Sequence, residues 1–243
     1  MPNNPYHNFN KRYRSKGVTL LFEDRDLLVV EKDSGLLTMG SEKVKDKTVY
    51  YYLNDYVKKG NHKSRHRVFI VHRLDRDTSG LLVFTKNEKS KRFLQDEWQT
   101  FQKKYFAIVH GILSNKESTI STYLRENQEH RVYSVDDPSR GKLAETRYQV
   151  LDETKNKSLL GIELITGRKN QIRVHFSELG SPVVGDSKYG KEEDGKKKLS
   201  LHAASLSLIH PFSKAEMSFS SKPPGYFETH IKGAVKTCRS SDF

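Results

Sequence analysis

Short apolar runs rich in β-branched and aromatic residues recur along the chain, and they limit its fold more than any other feature. Runs of this length and composition predict β-strands. Helical spacing of apolar residues is found in three segments, residues 47–57, 88–101 and 169–179, the last of which stops before Gly180. The predicted strands cover residues 18–22, 27–30, 68–71, 81–84, 105–109, 119–124, 131–135, 143–151, 158–165, 199–209 and 216–219. Many strands with few helices predict an α+β fold, with mixed, mostly antiparallel central sheets and a few flanking helices.

The 243 residues suffice for one large domain, and the sequence has no internal repeat. Residues 1–17 are polar and basic, and we expect them to form a flexible N-terminal segment. No later linker is long enough to separate two domains, so residues 18–227 are predicted to form one domain. The sequence Pro223-Pro224-Gly225 is expected to end the regular structure, and residues 228–243 are expected to form a C-terminal tail.

Positive charge is in excess, with 43 lysines and arginines against 30 aspartates and glutamates and a net charge of +13. The basic residues are spread along the whole chain, which indicates a folded surface that binds a polyanion, although a solvated surface has the same composition. No apolar run approaches the roughly 20 residues of a membrane-spanning helix, and no secretion signal is evident. The single cysteine, Cys238, excludes a disulfide within the chain. We therefore expect a cytoplasmic protein that binds nucleic acid and no membrane.

Nine residues between two predicted strands form a densely charged turn, His72-Arg73-Leu74-Asp75-Arg76-Asp77-Thr78-Ser79-Gly80. The last four are ordinary turn formers through local side-chain bonds. That explanation leaves out His72, Arg73 and Asp75. Loops held by strands are where catalytic residues collect, so one of the two acids is a candidate catalytic residue.

Two other interpretations of this turn stay open at this point. His72, Asp75 and Asp77 offer ligands for a divalent metal, as in a phosphoesterase, but the neighbouring arginines would repel the cation. Alternatively, Arg73 and Arg76 contact phosphate in a module without catalytic activity. Elsewhere the sequence has no phosphate-loop, dinucleotide-binding, zinc-protease or serine-hydrolase motif, so chemistry driven by a nucleotide, nicotinamide or zinc has no support.

The charged turn resembles the signature H-R-L-D-x-x-T-S-G-L of the RluA-type pseudouridine synthases, with the match running from His72 through Leu81. The aspartate of that signature is the catalytic residue of the family, and it falls on Asp75 here. Asp77 occupies a variable position in the signature and keeps its interpretation as a turn former.

Downstream segments extend the resemblance over residues 18–212, in the order of the family. Lys104-Tyr105-Phe106-Ala107 with Gly111 is similar to K-x-Y-x-A…G when Lys103 is taken as the first lysine. Tyr105 takes the position that lies against the target base; without the resemblance, it would be interpreted as a packed strand residue. Residues 166–175, Thr-Gly-Arg-Lys-Asn-Gln-Ile-Arg-Val-His, resemble T-G-R-x-H-Q-I-R-V-H, in which Arg173 pairs with the catalytic aspartate. Further matches are Gly185-Asp186 to Tyr189-Gly190, Leu201-His202-Ala203 and His210-Pro211.

On the same resemblance, five residues of these motifs are expected to bind RNA or the target nucleotide. They are His72, Arg73, Arg168, Gln171 and Ile172.

Two positions depart from the family pattern. Asn170 replaces the usual histidine, and Asp33 follows Lys32 where the family commonly has proline. Asparagine still donates and accepts hydrogen bonds, so we expect altered supporting contacts around Asn170 and no loss of activity. The change at Asp33 is expected to affect a turn outside the inferred chemistry. The S4-like domain of some relatives is not expected, because only residues 1–17 precede the first predicted strand.

The resemblance implies an isomerase that converts uridine to pseudouridine in structured RNA, either rRNA or tRNA. It also implies the pseudouridine synthase fold, with residues 18–227 as the catalytic domain and a catalytic cleft across the sheet. The reaction has no redox change, so no cofactor and no metal are expected. Asp75 would act by attack on C1′ of the ribose, by attack on the ring, or by proton removal. A monomer is expected, and a non-catalytic RNA-binding protein on the same fold is the alternative.

Overall fold

The computed structural model describes residues 14–40, 44, 46–61 and 63–238, and it is mixed α+β with mostly antiparallel strands and few helices. Backbone contacts divide the chain into two compact units. Unit 1 comprises Met1–Trp98 and Leu208–Met217, and unit 2 comprises Gln99–Ser207 and Ser218–Phe243. The predicted fold class is confirmed. Most of the expected flexible segment, residues 1–13, lies outside the described residues.

Unit 1 is built on antiparallel strands. Its strands are β1 (Arg14–Ser15), β2 (Val18–Glu23), β3 (Leu27–Lys32), β4 (Phe69–Ile70) and β5 (Ser79–Thr85). β2 pairs with β1 and β3, and β5 pairs with β3 and β4. The predicted hairpin of β2 and β3 is confirmed, and Asp24 closes its turn by accepting hydrogen bonds from the backbone N–H groups of Asp26 and Leu27. Every residue of β5 is buried, which makes this strand a rigid support for the charged turn before it.

Two helices complete unit 1. Helix α1 (Val49–Lys58) begins at Thr48, whose hydroxyl accepts a hydrogen bond from Tyr51 N, and it buries the predicted stripe of Val49, Leu53 and Val57. Helix α2 (Glu88–Asp96) begins at Asn87 in the same manner. It is shorter than the predicted segment 88–101, because the chain leaves the helix at Glu97 and the Trp98 ring stacks on His72.

Unit 2 contains the longer strands. They are β6 (Gln102–His110), β7 (Glu117–Glu126), β8 (Val132–Val135), β9 (Lys142–Glu153), β10 (Lys157–Leu164), β11 (Leu201–Ile209) and β12 (Glu216–Ser220). Their order is β11-β6-β10-β9-β7-β8, with antiparallel neighbours, and β12 pairs with β11. The last residues of β11 and the first of β12 belong to unit 1. The predicted strands of this half are confirmed, with shifted ends.

The third helix, α3 (Gln171–Glu178), packs Ile172 and Phe176 into the core of unit 2 together with Val109 and Ile162. Gly180 follows the helix with a φ of 74°, a conformation that glycine adopts without strain, so the predicted stop is confirmed.

Regular structure continues beyond residue 225, so the prediction that it ends at Pro223-Pro224-Gly225 is wrong. A 3-10 helix covers Gly225–Thr229, and α4 covers Ala234–Thr237. Phe227, Ile231, Ala234 and Cys238 pack against core residues Phe106, Ile108 and Leu159. Residues 227, 231 and 234 have the spacing of one helical face. Three apolar residues among polar ones are too few for the sequence to predict a helix there. No described helix is both long and apolar enough to cross a membrane.

Candidate functional site

The charged turn, His72–Gly80, leads from β4 into β5, and its backbone is bound to residues 32–38 of the same unit. The Thr38 hydroxyl accepts a hydrogen bond from Leu74 N at 3.2 Å and donates one to Leu74 O at 2.9 Å. Leu74 is itself buried. The residue that follows is Asp75, whose side chain is half-buried. The Thr38 hydroxyl therefore holds both backbone polar atoms of Leu74, the residue just before the candidate carboxylate.

The chain just after Asp75 is held by the same segment. Arg76 O accepts hydrogen bonds from Lys32 Nζ at 2.8 Å and from Gly35 N at 2.9 Å. Ser34 Oγ donates to Asp77 O at 2.7 Å. The expectation that the turn at Asp33 lies outside the inferred chemistry is therefore wrong, because residues 32–38 support the backbone on both sides of Asp75.

Lys32 is the last residue of β3 and is fully buried. Its Nζ donates to the carbonyl oxygens of Asp33 at 3.0 Å, Leu36 at 2.8 Å and Arg76 at 2.8 Å. Burial lowers the pKa of Lys32 to about 7, against the charges of Asp77, Asp75 and Asp33, which raise it. The three acceptors match the three N–H bonds of a protonated amine. Sequence reasoning missed this residue, because a lysine at the end of an apolar strand is ordinarily exposed to solvent.

The other polar residues of the charged turn differ in exposure. His72 Nε2 accepts a hydrogen bond from Val83 N at 3.1 Å, and its ring stacks on Trp98 with centroids 4.2 Å apart. Arg73 is exposed. Arg76 Nε donates to Asp77 Oδ1 at 3.2 Å, which agrees with the interpretation of Asp77 as a turn residue. His72 is thus engaged within the protein, whereas Arg73 is accessible to a ligand.

In unit 2, Arg173 lies on α3 and is 7% exposed. Its guanidinium makes a two-pronged ion pair with Asp186, with Nε–Oδ2 and Nη2–Oδ1 distances of 2.7 Å each. Asp186 Oδ1 also accepts hydrogen bonds from the backbone of Lys188 and Tyr189, both at 2.9 Å. Asp186 thereby orients Arg173, the arginine that the resemblance pairs with the catalytic aspartate. The sequence showed Asp186 as part of a motif match but gave it no role.

Burial by itself would raise the pKa of Asp186. The hydrogen bonds and charge of Arg173, together with the two backbone N–H groups, outweigh burial and hold the pKa below its ordinary value. The loop is tightly folded around this carboxylate: a Cβ on Gly190 would lie 2.2 Å from Asp186 O, and one on Gly185 would lie 2.1 Å from Lys198 O. Glycine is required at both positions because the backbones approach too closely for a side chain.

Gln171 begins α3 and is buried. Its Oε1 accepts hydrogen bonds from Thr166 Oγ1 at 2.8 Å and Arg168 N at 2.9 Å, and its Nε2 donates to Glu145 O and Thr146 Oγ1, each at 2.9 Å. A direct contact of this amide with RNA would break one of these bonds.

Ile172 and Arg168, which are also predicted to bind RNA, differ in how they are bound within unit 2. Ile172 belongs to the core of unit 2. Arg168 is half-buried, and its Nε donates to Leu143 O at 2.9 Å, which leaves its terminal nitrogens for other acceptors. Arg168 is therefore suited to a contact with RNA, whereas Ile172 supports the helix.

Tyr105 lies on β6, opposite Ile162 of β10 and Ala203 of β11. It is half-buried and packs against the core of unit 2. Asn170, the replacement for histidine, precedes α3 with a φ of 54°, a conformation that asparagine tolerates better than most residues. Its Oδ1 accepts a hydrogen bond from Tyr189 OH at 3.4 Å. Within the described part of the chain, no group of three or more His, Cys, Asp or Glu side chains is arranged to hold a metal ion.

The profile of a family described as RNA pseudouridylate synthase matches residues 26–178. The chain belongs to this family.

Three similar proteins are named as pseudouridine synthases. An uncharacterized RNA pseudouridine synthase of Mycoplasma genitalium, MG209, is 34% identical over 221 residues, covering 88% of this chain and 69% of that protein. The ribosomal large subunit pseudouridine synthase C of Vibrio vulnificus is 31% identical over 229 residues, covering 90% and 70%. The ribosomal large subunit pseudouridine synthase D of Zymomonas mobilis is 33% identical over 218 residues, covering 84% of this chain and 69% of that protein. Against a Mycoplasma pneumoniae homologue, the chain spans 65% of the relative's length.

Solved structures agree on the fold. Human RNA Pseudouridylate Synthase Domain Containing 4 matches with a TM-score of 0.72 at 24% identity, covering 89% of this chain and 92% of that one. The predicted RluA-type membership and pseudouridine synthase fold are thus confirmed. RNA pseudouridylate synthases are isomerases that convert uridine to pseudouridine in RNA, so RNA is the partner class of this family.

Proposed function

We propose that this protein converts uridine to pseudouridine in structured RNA and that Asp75 is its catalytic carboxylate. Family membership and the match of the charged turn to the family signature support the proposal. The strongest structural support is the binding of Leu74 by Thr38 and of Arg76 by Lys32, since these bonds hold the chain on both sides of Asp75. A reacting group carried by a fixed backbone loses little freedom in the transition state.

The reaction is an internal rearrangement. The bond between uracil N1 and ribose C1′ breaks, the base rotates, and a bond forms between C5 and C1′. C5 loses a proton and N1 gains one, so atoms and electrons balance without a co-reactant. Asp75 acts in its ionised form on C1′, on the ring or on a ribose proton, and we propose no metal and no cofactor.

We assign Arg173 to pair with the Asp75 carboxylate and Tyr105 to lie against the uracil. The ion pair of Arg173 with Asp186 supports its assignment, because it orients the guanidinium before RNA binds. Half-burial supports the assignment of Tyr105, because such a ring keeps one part accessible to a base.

RNA binding is assigned in two ways. Arg73 and Arg168 contact phosphate directly, consistent with the exposure of Arg73 and with the bond from Nε to Leu143 O that orients the Arg168 guanidinium. His72, Gln171 and Ile172 act by holding the turn and the helix in position. Phosphate contacts offset the few kcal/mol that extrusion of the target base costs.

We further propose a monomer that acts in the cytoplasm on ribosomal RNA, with transfer RNA as the second candidate. The names of the relatives from Vibrio vulnificus and Zymomonas mobilis, which refer to the large ribosomal subunit, favour this order.

The test uses Asp75→Asn with Asp77→Asn as its matched control, since both changes remove one carboxylate from the same turn. Tritium release from 5-tritiated uridine in RNA reports the reaction. We expect no release with Asp75→Asn and nearly wild-type release with Asp77→Asn, while RNA affinity stays close to wild type in both. Appreciable product from Asp75→Asn overturns the assignment.

The alternative, a non-catalytic RNA-binding protein, predicts salt-sensitive RNA binding and no tritium release by the wild type. Pseudouridine mapping across total RNA from cells with and without the gene identifies the substrate. A uridine modified only when the gene is present confirms the activity, and identical maps contradict it.

A further inference from the structure

Unit 2 has an open pocket of about 550 Å³ on the side of its sheet that β7, β8 and β9 form. Its wall consists of the end of β7, Val132 of β8, residues 139–142 and residues 167–169. The volume lies within the range of about 300–1,000 Å³ that is typical of ligand sites. Unlike such sites, this pocket is dominated by charge.

Five of the lining side chains are cationic and one is anionic. The anion, Glu126, is already paired with Lys169 and with His130, whose hydrogen bonds hold its pKa below the ordinary value. The remaining cations are Arg125, Arg140, Lys142 and Arg168. None of these four has an ion pair with any acid among residues 14–40, 44, 46–61 and 63–238. The pocket therefore carries an uncompensated positive charge.

The backbone presents these cations in a defined arrangement. Asp137 begins a 3-10 turn by accepting hydrogen bonds from Ser139 N at 2.9 Å and Ser139 Oγ at 2.7 Å, and the turn ends at Arg140. At Gly141 the chain passes so close to the sheet that a Cβ would lie 2.8 Å from Val135 Cγ2 and 2.9 Å from Tyr123 Cβ. Arg140 and Lys142 thus flank Gly141, whose backbone packs directly against the sheet.

Arg168 adds a preorganised donor. Its Nε is bound to Leu143 O at 2.9 Å and its backbone N–H to Gln171, so the guanidinium is oriented while its terminal nitrogens stay available. Arginine in this state suits a phosphate, which accepts two parallel N–H bonds. Arg168 also lies five residues before Arg173, so the pocket adjoins a segment of the proposed catalytic machinery within the same unit.

We propose that this pocket binds the phosphodiester backbone of the RNA substrate, with Arg140, Lys142, Arg125 and Arg168 as phosphate ligands. The proposal rests on the proposed function for the identity of the polyanion. Four uncompensated cations in one open pocket fit a chain of phosphates better than a single small anion, because successive phosphates spread their charge over the same width. These contacts fix the register of the RNA and carry no base specificity.

The test compares Arg140→Gln/Lys142→Gln with Lys89→Gln/Arg92→Gln, a control with the same charge change on the exposed face of α2. The probe is the RNA that the wild type modifies or, failing modification, a structured fragment of large-subunit ribosomal RNA. Affinity is measured between 50 and 300 mM KCl, and the slope of log affinity against log salt is determined. Each lost phosphate contact lowers that slope by about 1.

We expect the slope to fall by about 2 in the pocket variant and to stay at the wild-type value in the control. Arg140→Lys/Lys142→Arg, which keeps both charges, should restore most of the slope and shows that charge is responsible. Circular dichroism melting of all variants verifies that they fold.

A pocket variant with the wild-type slope overturns the inference, and so does an equal fall in the control. Tritium release by the wild type is measured in parallel. Release with an unchanged slope refutes the pocket alone, whereas a reduced slope without release supports the pocket and refutes the proposed catalysis.

Discussion

Two of the segments that carry family motifs, the charged turn of unit 1 and residues 166–173 of unit 2, are held rigid by different means. The charged turn is held at its main chain: Leu74 and Arg76 are bound by Thr38 and Lys32. The unit 2 segment is held at its side chains, through the amide of Gln171 and the carboxylate that binds Arg173.

This difference decides where supporting residues are found. In unit 2 they belong to motifs themselves, Gln171 in one and Asp186 in the next. In unit 1 they lie in residues 32–38, where Asp33 even departs from the family pattern. A main-chain contact can be supplied by residues remote from any signature, whereas a two-pronged pairing with arginine requires one particular acid.

The largest expected effect is that of Asp186→Ala, which removes the carboxylate from the two-pronged buried ion pair with Arg173. Breaking a buried ion pair in this way costs about 3–5 kcal/mol, and urea unfolding measures the loss. The control is Glu163→Ala at the exposed pair with Arg147, for which about 1 kcal/mol or less is expected. Equal losses would show that the buried Arg173–Asp186 pair stabilises the fold no more than an exposed pair does.

Lys32→Met tests the support of the charged turn through pH. The unfolded lysine has a pKa of about 10.4, and the folded one has a pKa of about 7. Between these values the unfolded chain binds more protons, so Lys32 makes the wild type progressively more stable as pH rises from about 7 to about 10. The free energy of unfolding of wild type minus variant should rise by up to about 1.4 kcal/mol per pH unit.

Urea unfolding of both proteins between pH 6.5 and 9.5 tests this rise, with the exposed lysine variant Lys89→Met as control. A flat difference would mean that the three carbonyls keep the amine protonated throughout, and the main-chain support would then depend on a permanent charge.

Gln171→Leu should come next in size. It removes four hydrogen bonds, and the buried Thr146 Oγ1, for example, loses a donor. We expect the free energy of unfolding to fall by about 1–3 kcal/mol. Thermal unfolding measures the loss. Gln149→Leu on the exposed surface is the control, and a change within about 0.5 kcal/mol is expected there.

Thr38→Val should have the smallest effect on stability and a selective effect on activity. It keeps the shape of the side chain but removes both bonds to Leu74, at a cost of about 1–2 kcal/mol. If the bonds position Asp75, kcat for pseudouridine formation falls while RNA affinity stays unchanged. Thr38→Ser, which retains the hydroxyl, should recover kcat, and a failure of recovery would separate Thr38 from the positioning of the turn.

Patterns within a few residues of one another carried most of the fold. The hairpin of β2 and β3, the buried stripe Val49, Leu53 and Val57, and the stop at Gly180 follow from local spacing and turn chemistry. The predicted end at residue 225 failed because the apolar residues beyond it are stabilised by distant core residues such as Phe106 and Leu159.

By itself, the sequence determined a strand-rich α+β chain, a densely charged turn that contains Asp75, and motifs that identify the family. Only the tertiary structure decided what surrounds those motifs: Lys32 beneath the turn, 44 residues from Arg76, and Thr38 beside Leu74, 36 residues away. The physical reason is that strand and turn preferences act between neighbours in sequence, whereas burial of an amine depends on carbonyls that only folding brings together.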